Sequence, residues 1–511
     1  MPDKHQKCAT LLGGLISAVI WMPQSLQANE PLTAIDWLSQ TPTVTLEMAL
    51  PYEETPITDS VNVPMISVTP LSDEGRGGVG LLPRSITGLP ADLWQSSPTS
   101  VLTYLIANLH AGDLPALQAL LYTLLLAETN PPQDAQGQDG LLLARIDKLV
   151  ELGALEQANA LMQHAGVSTP DLFSRWFDVT LLMGQESRAC DLLAETPRLA
   201  PNYATRVFCT ARSGDWRGAA LTLETANALK LVSGEEHALL QRYLDPELFA
   251  GEPLLFAATE ATPLLYRLYE AIGETYPTTS LPLQFTHADL RSTAGWKAQL
   301  EAAERLARTG ALPGNRLLGI YTERLPAASG MIWDRVDAIQ ELDQALSAGD
   351  GDDIAATLPA AWQAMQQARL EVRFANLFGA ALLQAKLTGV AGDIAYKIAL
   401  LSDDYEAAAL TRPDDFLSGI ATGTPAVAAP NAQAQAVSDA FHSAGVPQSL
   451  STHLALGQLG EVILRAMILL SEGANGDLRA QTDALATLRA VGLEETARRA
   501  ALQILILERK L

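Results

Sequence analysis

Leu152-Gly153-Ala154-Leu155-Glu156-Gln157-Ala158 sets a glycine behind one amphipathic run and an alanine five residues later, where the next run begins. The same offset recurs at Gly184 to Ala189, at Gly214 to Ala219 and, near the end of the chain, at Gly492 to Ala497. The first three copies lie 31 and 30 residues apart, close to the period of helix-turn-helix solenoids. The alanine has a mechanical reason. A small side chain where two helices cross lets their backbones approach at the short end of the usual spacing of roughly 8–10 Å.

The segment between the first two copies shows the local code. Thr169 suits an N-cap, Pro170 the first helical position, and Asp171 complements the helix dipole. Leu172, Phe173, Trp176, Phe177, Thr180 and Leu181 follow at helical spacing and form one apolar face, and Gly184 closes the helix. Ala189, Leu192 and Leu193 open the inward face of its partner. These patterns predict an all-α chain of helical hairpins stacked as a solenoid.

The turns Leu152 to Ala158 and Ser213-Gly214-Asp215-Trp216-Arg217-Gly218-Ala219 resemble the inter-helix turns of tetratricopeptide-like (TPR-like) repeats. The resemblance covers about residues 140–245 and the last sixty residues, without most of that repeat's usual tryptophan, tyrosine and proline positions. It implies an α-solenoid, an architecture that presents an extended binding surface.

Around this core the chain divides as follows. Residues 1–28 read as an export signal: Lys4 and Lys7 precede an apolar run from Cys8 to Met22, Pro23 breaks it, and Ala28 offers a cleavage site. The run is shorter than the about 20 apolar residues of a membrane span, and an uncleaved inner-membrane anchor is the alternative. Residues 29–98 carry nine prolines, which forbid long helices and predict a largely extended arm. Then come the TPR-like repeats at 99–250, a Pro-rich connection at 251–284 and a second helical region at 285–410. An Ala/Pro/Gly-rich linker at 411–448 precedes C-terminal hairpins at 449–511, with helices expected near 452–471, 477–491 and 494–510.

The 511 residues are 48% hydrophobic and 18% charged, a mix that supports packed helices, and the net charge is −24. No basic stripe offsets that charge, so nucleic acid is not an expected partner. After signal removal Cys190 and Cys209 remain, almost equidistant from the turn Thr196 to Pro201. Equal distances from the turn of an antiparallel pair put both at one height. A disulfide is expected in an oxidising periplasm, with two buried thiols as the alternative.

Chemical motifs are weak. Gln185-Glu186-Ser187 resembles the Glu-Ser pair of soluble lytic transglycosylases, but the Gly-Leu-Met-Gln and Ser-Gly segments that accompany it there are missing. Glu186 reads instead as a surface acid at a helix start. Gly75 to Gly80 lacks the Lys-Ser/Thr of a phosphate loop and reads as a turn. Asp350, Asp352 and Asp353 lack an acidic twelfth ligand and read as a helix cap. The histidines form no metal pair, and no serine stands in a nucleophile-elbow setting. Neither a cofactor, a metal nor catalysis is expected.

One region departs from the acidic background. Residues 285–335 hold seven basic residues against five acids. Arg291, Lys297, Arg305, Arg308, Arg316 and Arg324 are interleaved there with Trp296, Tyr321 and Trp333. Arginine and aromatics are enriched at binding hot spots, so these nine residues are the candidate partner surface. The competing reading makes the aromatics core and pairs the arginines with the protein's own carboxylates. The expectation is a non-catalytic periplasmic scaffold for other cell-envelope proteins. A glycan- or peptide-binding module, or a degenerate peptidoglycan-processing enzyme, is the alternative.

Overall fold

The computed structural model describes residues 76–507 except 112–113, 256–259, 275–276, 444 and 475. Contacts divide the chain into Met1–Ser67 and Val68–Leu511, and every described residue belongs to the second unit. The export signal and residues 29–75 of the Pro-rich arm lie outside the described residues.

The local code at Pro170–Met183 is realised: Thr169 accepts a hydrogen bond from the Leu172 N–H, Pro170 opens the helix, and Gly184 ends it with φ +72°. Each Gly-Ala turn joins the two helices of a hairpin. The pairs are Gly140–Glu151 with Leu155–Ala165, Pro170–Met183 with Glu186–Glu195, Tyr203–Arg212 with Trp216–Ala228, and Leu478–Ala490 with Glu494–Leu507. All four glycines hold positive φ, and all four alanines are fully buried. The backbone closes each turn in one way. The N–H after the glycine donates to a carbonyl five residues back, as in Gln185 to Thr180 at 2.7 Å and Leu493 to Leu488 at 2.8 Å. That bond is the signature of a Schellman helix ending.

Other turns share this geometry with different side chains, among them those at Gly457 and Arg369. At Gly457 (φ +73°) the residue five positions on is the buried Val462. At Arg369 (φ +56°) a non-glycine holds the left-handed position and the buried Phe374 takes the alanine's place. The same bonds close both turns, Gln458 to His453 at 3.0 Å and Leu370 to Met365 at 2.9 Å. Gly457 therefore divides what the sequence reads as one helix near 452–471 into Gln448–Ala455 and Leu459–Ala474.

The described end of the Pro-rich arm, residues 76–98, is docked on the helices. Leu89, Leu93 and Trp94 are core residues, and Leu82 forms a parallel bridge with Ala127. The fully buried Arg145 fastens this segment by donating to the carbonyls of Leu125 (2.7 Å), Val79 (2.8 Å) and Ala127 (3.0 Å). The 411–448 stretch holds the helices Phe416–Thr422 and Ala432–His442, each contributing buried residues such as Ile420, Val437 and Phe441. Asp415 and Asn431 cap those helices through their side chains. Much of this Ala/Pro/Gly-rich stretch is therefore helix.

Among the described residues the fold is all-α apart from that one bridge, with helices packed neighbour to neighbour. Two apolar clusters form its core. The smaller is built from residues 296–401, and the larger joins residues 89–288 with residues 396–504. The larger cluster brings distant ends of the described chain together. Pro115–Leu126 packs on Glu494–Leu507, and Thr99–Asn108 on Leu459–Ala474.

Candidate functional site

The segment around the sequence-nominated surface begins with the helix Pro263–Ala271, passes through 3-10 turns at Thr278–Ser280 and Leu283–Leu290, and continues into Trp296–Arg308. It lies across the turns of the first hairpins. His287 Nε2 donates to the Gly153 carbonyl at 2.5 Å, and the Thr309 hydroxyl donates to the Leu152 carbonyl at 2.8 Å. Burial lowers the His287 pKa, and the bond to the Gly153 carbonyl works against that shift because a charged ring donates it as well.

The nine nominated residues do not form one surface. Trp296 and Tyr321 are buried. Trp296 donates its indole N–H to the Ile320 carbonyl at 3.0 Å, and its ring packs 5.1 Å from that of the half-buried Trp333. Tyr321 donates its hydroxyl to Glu304 at 2.8 Å, inside the core. Most of the basic residues pair with the protein's own acids. Arg308 reaches Glu304 at 3.2 Å, and Arg335 grips the same carboxylate at 2.6 Å and 2.9 Å. Arg316 meets Glu156 at 2.7 Å, Arg324 its neighbour Glu323 at 3.0 Å, and Lys297 Glu301 at 3.5 Å. Trp296 and Tyr321 can lie in the core because each finds a partner for its one polar atom, which burial demands.

Glu186 is also not a surface acid: it is buried between Arg212 (3.3 Å) and Arg267 (3.2 Å). From Arg267 the chain of opposite charges runs to Glu270 and on to Arg291, whose Nη2 lies 2.6 Å from Glu270. Buried carboxylates of this kind need such partners, so the local excess of arginine serves the protein's own acids. Asp350 caps the Gly351–Ala368 helix by accepting from the N–H groups of Asp352 and Asp353. Arg76–Gly78 forms a short 3-10 turn. No group of three or more metal-ligating side chains occurs among the described residues, and no helix there is long and apolar enough to cross a membrane.

Cys190 and Cys209 are bonded, with Cα atoms 4.9 Å apart. They join the second helix of one hairpin to the first helix of the next, across the short 3-10 turn Pro197–Leu199.

Among the described residues, two features stand out as places where something else can bind. One is a cleft of about 480 Å³ lined by residues of the Pro263–Ala271 helix, the 3-10 turns and the Trp296–Arg308 helix, with Arg291 and Arg305 in its walls. Sequence reasoning found these two arginines by local charge but not the cleft, whose lining comes from separate elements. The other is the Trp216–Ala228 helix, which buries only Ala219, Leu223 and Ala226 of its thirteen residues. Leu221 is 72% exposed, and Leu229 just beyond its end is 63% exposed. The signal for this face was present in the sequence as leucines off the helix's buried stripe.

Compared with known proteins, the chain matches no family model, no curated protein and no solved structure.

Proposed function

We propose that this chain is a non-catalytic scaffold of the bacterial periplasm, holding other cell-envelope proteins on the outer face of TPR-like hairpins. The observation that carries the reading is the Trp216–Ala228 helix. It sits in the repeat segment and leaves most of its surface, including Leu221, in solvent. Covering an exposed leucine contributes about 1.5–3 kcal/mol, so a partner gains directly from this face. The export-signal pattern of residues 1–28 and the cysteine pair support an oxidising compartment outside the cytoplasm.

A photo-crosslinking residue placed at Leu221 in living cells tests this, with the same residue at the exposed Arg479 as control. The expected result is one envelope protein joined reproducibly from position 221 and not from 479, and lost when Leu229→Asp is added. Adducts that are equal from both positions, or absent from 221, overturn the proposal.

A further inference from the structure

Arg305 stands apart from the other basic residues of its region. Arg291, Lys297, Arg308, Arg316, Arg324 and Arg335 each have a carboxylate within 4.0 Å. Arg305 has none among the described residues; its guanidinium donates to the backbone carbonyls of Thr278 (3.2 Å) and Leu281 (3.4 Å). The nearby Asp289 is engaged by the Thr278 hydroxyl and acts on Arg305 only through its field. A guanidinium carries five N–H donors, so donors remain to be filled. Partial burial lowers the Arg305 pKa, the mark of a cation whose desolvation is not offset. It lines the 480 Å³ cleft, a size in the range of small-ligand sites.

We infer that this cleft binds a small zwitterion, a free amino acid or short peptide whose terminal carboxylate seats on Arg305. The charge of the lining selects this class. Glu270, Asp289 and Glu301 share the walls with Arg291 and Arg305, so the lining offers both signs of charge side by side. A dianion such as phosphate would be repelled by the carboxylates, whereas a zwitterion places its ammonium among them. Ala288, Ala294, Ala298 and Ala302 also line the cleft, and their short side chains leave room for small apolar groups. A sugar would want an open aromatic face. Trp296 and Trp333 pack on each other outside the lining, and Tyr266, which does line it, is buried edge-to-face against Phe285.

Titration calorimetry with L-alanyl-L-alanine tests the inference, alongside its N-acetyl and C-amide forms and inorganic phosphate. The expected result is saturable binding of the dipeptide, weakened at least tenfold by amidation of its carboxylate or by Arg305→Gln. Because Arg305 also holds two carbonyls, a second variant keeps the test independent of folding. Ala298→Trp fills the cleft from a half-exposed helix position and should abolish binding with an unchanged melting temperature. No heat from the dipeptide, phosphate binding as tightly as the dipeptide, or full binding to Ala298→Trp each overturns the inference. These substitutions leave Leu221 untouched, so the scaffold reading stands or falls by its own experiment.

Discussion

Gly153, Gly184 and Gly214 share one backbone conformation but differ in what stands over them. A Cβ on Gly153 would meet Leu306 Cδ2 at 2.6 Å and Leu283 Cγ at 3.2 Å. On Gly184 the nearest atom would be Arg291 Cδ at 3.7 Å, and on Gly214 nothing lies within 4 Å. Sequence alone makes the three equivalent, since the left-handed requirement is local and identical. The neighbours come from residues more than 100 positions further along the chain, as Arg291 is from Gly184, which no turn pattern encodes. Gly214→Ala should therefore cost only the conformational penalty, about 1–2 kcal/mol. Gly153→Ala should add an overpacking cost of about 1–3 kcal/mol. Urea unfolding of the two variants side by side measures the difference. Equal losses would mean that the segment carrying Leu283 and Leu306 does not press on the first turn.

Between elements, the staple from Cys190 to Cys209 spans 19 residues of sequence and ties one hairpin to the next. Closing a loop of that length in the unfolded chain stabilises the fold by about 3 kcal/mol in the chain-entropy account. Oxidised protein should unfold at higher urea than the Cys190→Ser/Cys209→Ser double variant, and dithiothreitol should bring the wild type down to match it. An unchanged midpoint on reduction would show that the thiols are not bonded in solution. The bond was legible because both cysteines flank a single turn at equal distance, so antiparallel geometry sets their height. The turns at Gly457 and Arg369 were not, although their backbones repeat the Gly-Ala turn. Val462 and Phe374 fill the inward position with larger side chains, and an arginine takes a left-handed angle that glycine usually supplies. The pattern lay in backbone hydrogen bonds rather than in residue identity. The cleft was illegible for a related reason. Its arginines are visible in the sequence, but which carboxylate each one finds depends on how separate helices cross.

Across the molecule, the hydrogen bond that best shows closure joins Gln503 Oε1 to the Ala116 N–H at 2.9 Å, with both groups buried. The first N–H groups of a helix have no partner within it, and here a side chain from the last described helix supplies one for Pro115–Leu126. Gln503→Leu removes that acceptor and should cost about 1–3 kcal/mol by leaving the amide unsatisfied. In hydrogen exchange, amides of Pro115–Leu126 and Glu494–Leu507 should lose protection together in this variant. Loss confined to the second helix would separate the two ends into independent units. An open stack of repeats would behave in that second way, because each repeat there touches only its neighbours.

This closure also sets a timetable for making the protein. The helix from Pro115 to Leu126 is synthesised early, yet Gln503, which caps it, is 387 positions further along the chain. At about 5–20 residues per second, a ribosome needs roughly 20–80 s to cover that interval. Throughout it the helix carrying the core residues Leu117, Leu120 and Leu121 can pack on Gly140–Glu151 but not yet on Glu494–Leu507. Wherever the chain folds, that helix end stays uncapped until the segment carrying Gln503 is present.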